Sequence, residues 1–384
     1  MRKNIYLMYA IEFFQGMVFY ASIATLYRRA QGVSVFQITL IESISLALCI
    51  LLEIPWGVAA DKIGYRRTMV ICCGIDLLSK VVFWQAESFG GFLFERVLLS
   101  VAITGFSGVD SAIVYLSSSK GESQRAFGFL NSMGTLGLIV SSAAFSLFIK
   151  DNYKTAALFT VFSYAAAFIL SFFISEVKQK QPAGAHTASL VPIIGSVFKN
   201  RKLLLFLLAV GLFSQTHQTV TVFLNQLQYE RSGMSNAAIG TAYIIMALLA
   251  LTATFSARIT KSIGERRSFL IFCVPAAVCC AVLALTDKAF LSVAAVLAIR
   301  ACHSLFEPLQ TELQNKIIKT DDRATALSVN AMFTDGIGIL TNLIFGAFSK
   351  ISLPLTFSFA AILCTVSAGL LVRCVGKEKQ NQTV

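Results

Sequence analysis

The chain has 384 residues, 56% hydrophobic and only 14% charged, with a mean hydropathy of +0.72. Soluble domains carry roughly 25% charged residues, so this composition excludes one and places the chain in a bilayer. The formal charge of +12 raises nucleic acid as a partner, but the basic residues sit in the connections between apolar runs, which excludes a binding stripe.

Apolar runs near or above the ~20 residues that cross a bilayer recur along the whole length. They predict an all-α bundle of twelve spans near 5–27, 35–58, 68–86, 91–117, 125–149, 154–177, 202–229, 235–257, 267–286, 289–315, 324–349 and 353–374. The first span is too long for the apolar part of a secretory signal, with no small-residue cleavage site before the second, so it is expected to be retained. Most connections are very short. The exception, "KQKQPAGAHTASLVPIIGSVFKN", is rich in Pro, Gly, Ala and Ser and reads as a linker. The expected organisation is a six-span bundle over 1–177, a cytoplasmic linker over 178–200, a second bundle over 201–376 and a cytoplasmic tail over 377–384. Of the 32 Lys and Arg, 22 fall with the N-terminus, the even connections and the C-terminus, seven in odd connections and three (Lys80, Arg96, Arg300) within spans. That bias places both termini in the cytoplasm.

A charge near the bilayer centre costs at least about 2.5 kcal/mol, so it persists where it faces a cavity, pairs or carries ions. Span 1 offers Glu12 and Gln15, span 2 Glu42 and Glu53. In span 3, Asp76 and Lys80 stand four apart and are expected to neutralise each other. Arg96 and Asp110 in span 4 are fourteen apart, nearly four turns, and are expected to share a face. Gly134 and Gly137 in span 5, with Gly336 and Gly338 in span 11, are expected to allow close helix approach. Span 7 contains "FSQTHQTVTVFLNQ", with Gln215 and His217. Span 10 sets Arg300, His303 and Glu307 at i, i+3 and i+7 on one face, followed by Pro308, which removes a backbone donor. Span 11 adds Asp335. Glu12, Asp110, Glu307 and Asp335 are the candidates for proton exchange. Nine cysteines are scattered without metal-type spacing and read as packing residues. The three histidines, at 186, 217 and 303, lie far apart in the chain. No HExxH, Ser-His-Asp grouping or phosphate loop is present, so no enzyme, metal or cofactor is expected, and transport would be driven by gradients.

The stretch "PWGVAADKIGYRRTMVICCG", 55–74, packs Asp61, Lys62, Arg66 and Arg67 between two apolar runs. Two hundred residues later stands "KSIGERR", with Gly264, Arg266 and Arg267 in register with Gly64, Arg66 and Arg67. The echo falls in the corresponding connection of the second half, which argues for a duplicated six-span unit. Gly57, Asp61, Gly64, Arg66 and Arg67 match the "G-x-x-x-D-x-x-G-[RY]-[RK]-[RK]" turn of the major facilitator superfamily, which the chain resembles over essentially its whole length. The resemblance implies that superfamily's fold and alternating-access transport. It also implies that the acidic residue of the turn, with its glycines and arginines and their second-half counterparts, latches a cytoplasmic gate. Spans 1, 4, 7 and 10 would line the central cavity, where Arg96 matches an arginine associated with proton coupling. The "QG" that usually follows is here Ser100 and Val101, and span 5 lacks the Gly-Pro motif of drug/proton antiporters.

The expected function is secondary active transport of a small organic solute, coupled to protons, by a monomer in a bacterial cytoplasmic membrane. Efflux of drug-like or amphiphilic compounds is preferred because the cavity spans mix aromatics and amides with few fixed charges. Uptake or exchange of an organic anion or metabolite is the alternative, with Arg300 as its anchor. A membrane enzyme and a non-transporting sensor or assembly factor are the readings from other classes.

Overall fold

The structure, a computed structural model, describes residues 2–118, 123–177, 200–317 and 323–375. The linker from 178 to 199, with His186, and the tail from 376 lie outside the described residues. The rest contains twelve helical spans long and apolar enough to cross a membrane: α1 Lys3–Ala30, α2 Val35–Ala60, α3 Tyr65–Gln85, α4 Phe89–Ser117, α5 Arg125–Ile149, α6 Tyr153–Ser171, α7 Arg201–Arg231, α8 Asn236–Ile263, α9 Glu265–Leu285, α10 Ala289–Lys316, α11 Ala326–Ser349 and α12 Leu353–Cys374. Among the described residues there is no strand. In lipid every backbone polar group must bond within its own segment, and helices achieve that.

The sequence echo is a backbone echo. Gly64, at φ +90°, ends the helix of α2 and starts that of α3; Gly264, at φ +83°, does the same between α8 and α9. Glycine enters that region without steric cost. The Thr68 and Ser268 hydroxyls donate to the carbonyls of these glycines, each at 2.9 Å. The helices that follow are 21 residues each, and the next pair, α4 and α10, start at Phe89 and Ala289, again two hundred apart. So do α6 and α12, at Tyr153 and Leu353, capped by Asn152 and Ser352, whose side chains accept from the third backbone N–H onward.

The repeat fails at one informative place. Gly108, at φ +81°, breaks α4 after Phe106, and a separate nine-residue helix runs Val109–Ser117. The corresponding Pro308 sits inside one unbroken helix, Ala289–Ile317.

By contact the chain divides into two compact units, Met1–His186 with Ser235–Ala247, and Thr187–Met234 with Leu248–Val384. Lipid tails are as apolar as Leu, so packing and polar contacts hold such units together. In the first, α6 turns a face of small residues inward, Ala156, Ala157, Thr160, Ser163, Ala167 and Ser171, and Tyr20 stacks on Phe83 at 3.9 Å. The start of α8 belongs to this unit: the Asn236 amide donates to Asp151 at 2.9 Å and to the Tyr153 hydroxyl at 3.1 Å. The second unit is centred on Phe206, Phe213, Phe269 and Phe306, all fully buried.

Candidate functional site

In the first unit Lys80, Arg96 and Arg28, all within spans, each have their own carboxylate. Lys80 meets Asp76 at 3.3 Å, as the spacing of four predicts, and lies 4.8 Å over the Tyr164 ring. Arg96 pairs with Glu42 of α2, and its Nε donates to Ser45 at 3.2 Å. Arg28 meets Glu95 at 3.4 Å with its guanidinium over Phe83 and Phe92. The Gln15 amide donates to Asp76 at 3.4 Å, and the Tyr164 hydroxyl donates to the Gln15 carbonyl at 2.7 Å.

Glu12 and Asp110 are different. Glu12, half-buried in α1, rests against α5: a Cβ on Gly134 would stand 2.8 Å from its Oε1. The approach is close because Gly16, Gly134 and Gly137 let backbones touch, and a Cβ on Gly137 would lie 2.1 Å from the Phe13 carbonyl oxygen. The expectation for Gly336 fails, since a Cβ there would meet nothing within 4 Å. Asp110 lies in the first turn of the helix that begins at Val109 and accepts from the Ser111 N–H at 2.5 Å. Its predicted common face with Arg96 is corrected by the break at Gly108, because the fourteen-residue count assumed one continuous helix. Neither Glu12 nor Asp110 has a basic side chain within ion-pair distance among the described residues.

At the first turn of the repeat, the Glu176 carboxylate from beyond α6 accepts from the Arg66 N–H at 3.3 Å, and the Arg66 guanidinium donates to the Phe172 carbonyl at 3.0 Å. Glu176 also crowds Gly64, where a Cβ would come 2.9 Å from Oε2. Arg67 is exposed, and a Cβ on Gly57 would meet nothing within 4 Å. Asp61 lies near the end of the helix Val35–Ile63; its side chain lies outside those described. At the second turn Glu265 takes Lys316 of α10 at 3.0 Å, with Arg266 and Arg267 exposed.

The second unit brings together residues the sequence leaves apart. His217 of α7 stacks on His303 of α10, centroids 3.8 Å apart and rings within 6° of parallel. Phe213 covers the assembly at 6.0 Å from His303, whose Nε2 lies 3.4 Å from the Ser214 hydroxyl. His217 Nε2 is 3.4 Å from the Thr221 hydroxyl, and the Gln215 amide donates to the Thr334 carbonyl at 3.5 Å. Thr219, in a π-helical stretch Thr219–Leu224, donates to Asn342 at 2.8 Å. Such bulges recur at functional sites. Arg300 precedes His303 by three residues on α10 and is half-buried. Glu307 is exposed and Asp335 half-buried on α11.

Sequence reasoning missed three features. Arg28 falls at a span end where it reads as part of a connection, Glu95 stands beside Arg96 but on another face of the helix, and Glu176 lies past a span end. The histidine stack had no signal in a single sequence, since 86 residues separate its members.

Twelve spans built as a repeat, with ionisable groups held inside them, define a polytopic membrane transporter. The chain belongs to the major facilitator superfamily, whose family model matches residues 5–342. Multidrug resistance protein 2 of Bacillus subtilis (strain 168) is 22% identical over 333 residues, 84% of this chain and 81% of that protein. The crystal structure of the nucleoside transporter NupG is similar with a TM-score of 0.79 at 17% identity, covering 97% of this chain and 98% of that one. The human organic anion transporter MFSD10 (TETRAN) is similar at 0.62 and 15% identity, covering 96% and 99%. These structural likenesses show the fold. Family and fold are those of transporters, not enzymes.

Proposed function

We propose that the chain is a proton-coupled secondary transporter that exports small amphiphilic organic compounds by alternating access, with both termini in the cytoplasm. The observation that carries proton coupling is the contrast within the first unit. Three in-span carboxylates, Glu42, Asp76 and Glu95, are held by cations, while Glu12 and Asp110 are not, and the helix Val109–Ser117 that carries Asp110 packs against α1. Two acids near one another without a base are suited to carry one proton between them. Export of amphiphiles is supported by the aromatic and amide character of α7 and α10 around His217 and His303, and by the name of the Bacillus relative. At the repeat turns, Glu176 on Arg66 and Lys316 on Glu265 supply the contacts that an intracellular gate would make and break.

The test is flux in proteoliposomes under an imposed pH gradient. Glu12→Gln and Asp110→Asn are expected to abolish uphill movement of a fluorescent amphiphile while leaving exchange at equal pH intact. Uphill flux retained in both variants would overturn the assignment of the proton site.

A further inference from the structure

Spans α4 and α10 are two copies of one element in two conformations. They start two hundred residues apart, at Phe89 and Ala289, yet α4 is interrupted at Gly108, φ +81°, while α10 runs unbroken through the corresponding Pro308. Crowding does not explain the glycine, because a Cβ at 108 would meet nothing within 4 Å. What a side chain would oppose there is the positive φ itself. The glycine serves the break.

The break is shallow. The Ser107 N–H still reaches the Ile103 carbonyl at 3.1 Å and the Ala112 N–H the Gly108 carbonyl at 2.9 Å, so rejoining the two pieces concerns only the N–H groups of residues 108–111. A helix that begins at Val109 leaves its first N–H groups without carbonyl partners. Asp110 supplies one substitute: its carboxylate accepts from the Ser111 N–H at 2.5 Å, and a negative charge in a first turn is favoured by the helix dipole. An ionised Asp110 thus stabilises the broken form. Protonation removes that charge, and the continuous helix then offers these N–H groups carbonyls instead.

The helices packed against Val109–Ser117 include α1, α3 and α5. They carry Glu12 on α1 and the pair Asp76–Lys80 on α3, with Lys3, Arg66, Arg67 and Arg125 towards their ends. Among the described residues none of these stands within ion-pair distance of Asp110. The buried face of the short helix, Val109, Ile113 and Val114, shares one core with Met8 and Ile11 of α1. A change of angle at Gly108 therefore moves the segment against the helix that carries Glu12.

We infer that Gly108 is a hinge and Asp110 its proton switch: α4 is broken while Asp110 is ionised and closes to one continuous helix, as α10 is, when Asp110 takes a proton. This rests on the proton-coupled reading above and deepens it. Uptake of one proton becomes movement of a nine-residue helix, and hinges of this kind concentrate a large change of backbone angle in very few residues.

The experiment is amide hydrogen exchange read by mass spectrometry on the full-length protein in nanodiscs, comparing peptides over 108–111 with their counterparts over 309–311. At neutral pH the wild type should exchange faster at 108–111. Gly108→Ala should slow those amides roughly 10- to 100-fold, because alanine disfavours positive φ and favours the helix. Asp110→Ala should slow them roughly 2- to 5-fold, the weight of one charge in a first turn. The wild type at pH 5, corrected for intrinsic exchange, should move in the same direction. Melting temperature and gel filtration establish that each variant is folded. Wild-type exchange at 108–111 as slow as at 309–311, or unchanged exchange in folded Gly108→Ala or folded Asp110→Ala, overturns the inference. Slowed exchange in these variants together with uphill flux retained in Asp110→Asn would leave the hinge standing and sink the proton site. Flux lost in Asp110→Asn with identical exchange in every variant would do the reverse.

Discussion

Replacing Gly137 by alanine tests the close contact that seats Glu12. The added Cβ would stand 2.1 Å from the Phe13 carbonyl oxygen, where ordinary contact begins at 3.4 Å, so α1 and α5 must part by about 1 Å before the methyl fits. The blocking atom is backbone, and no rotamer change relieves it. Overpacking of this kind costs about 1–3 kcal/mol, set against up to about 1 kcal/mol gained by removing a glycine from a helix. Gly128→Ala on the same helix is the control, because that position is exposed and its Cβ would meet nothing within 4 Å. The two variants should therefore differ by roughly 1–4 °C in melting temperature, measured in detergent at one scan rate. Gly137→Ala should also lose pH-driven flux, since the carboxylate resting on Gly134 moves with the helix. Equal melting temperatures for the two variants would refute the backbone contact.

Arg96→Gln leaves the Glu42 carboxylate buried without its cation and should cost about 3–5 kcal/mol, whereas Glu42→Gln with Arg96→Gln should recover most of that, both read from melting temperature. Gly64→Ala and Gly264→Ala should each lose about 1–3 kcal/mol from positive φ; Glu176→Ala should restore part of the loss only for Gly64, the position its carboxylate crowds. Glu87, between α3 and α4, bonds Lys154 at 2.5 Å, and that ammonium holds its carboxyl below the usual carboxylate range. Its contribution is thus present above its unfolded-state value and fades as pH falls through the lowered one. Glu87→Gln should melt below wild type at neutral pH and match it in acid.

The helical fold was legible in the sequence because lipid imposes one simple demand, about twenty apolar residues per span, and charge bias and turn chemistry punctuate the rest. The internal repeat was legible from the echo of Gly64, Arg66 and Arg67 in Gly264, Arg266 and Arg267, and the two glycines share one positive-φ conformation that other residues rarely adopt. The pair Asp76–Lys80 was legible because both partners share one helix at a spacing its geometry fixes. Arg96 with Asp110 failed on the same geometry, because Gly108 ends the helix on which the periodicity was counted. Glycine inside a span reads equally as a packing surface or a break, and only the backbone angle separates the two. Partners on different helices, Arg96 with Glu42, Arg28 with Glu95 and His217 with His303, depend on how helices pack. No spacing along one chain encodes that.

The account stands on the chain being a carrier, and solute counterflow tests this without any driving force. Proteoliposomes loaded with an unlabelled amphiphile that thermally stabilises the purified protein and diluted into a trace of the labelled compound should take up label transiently above its equilibrium level, then release it. Label that rises monotonically to equilibrium, as in liposomes lacking the protein, would contradict the account.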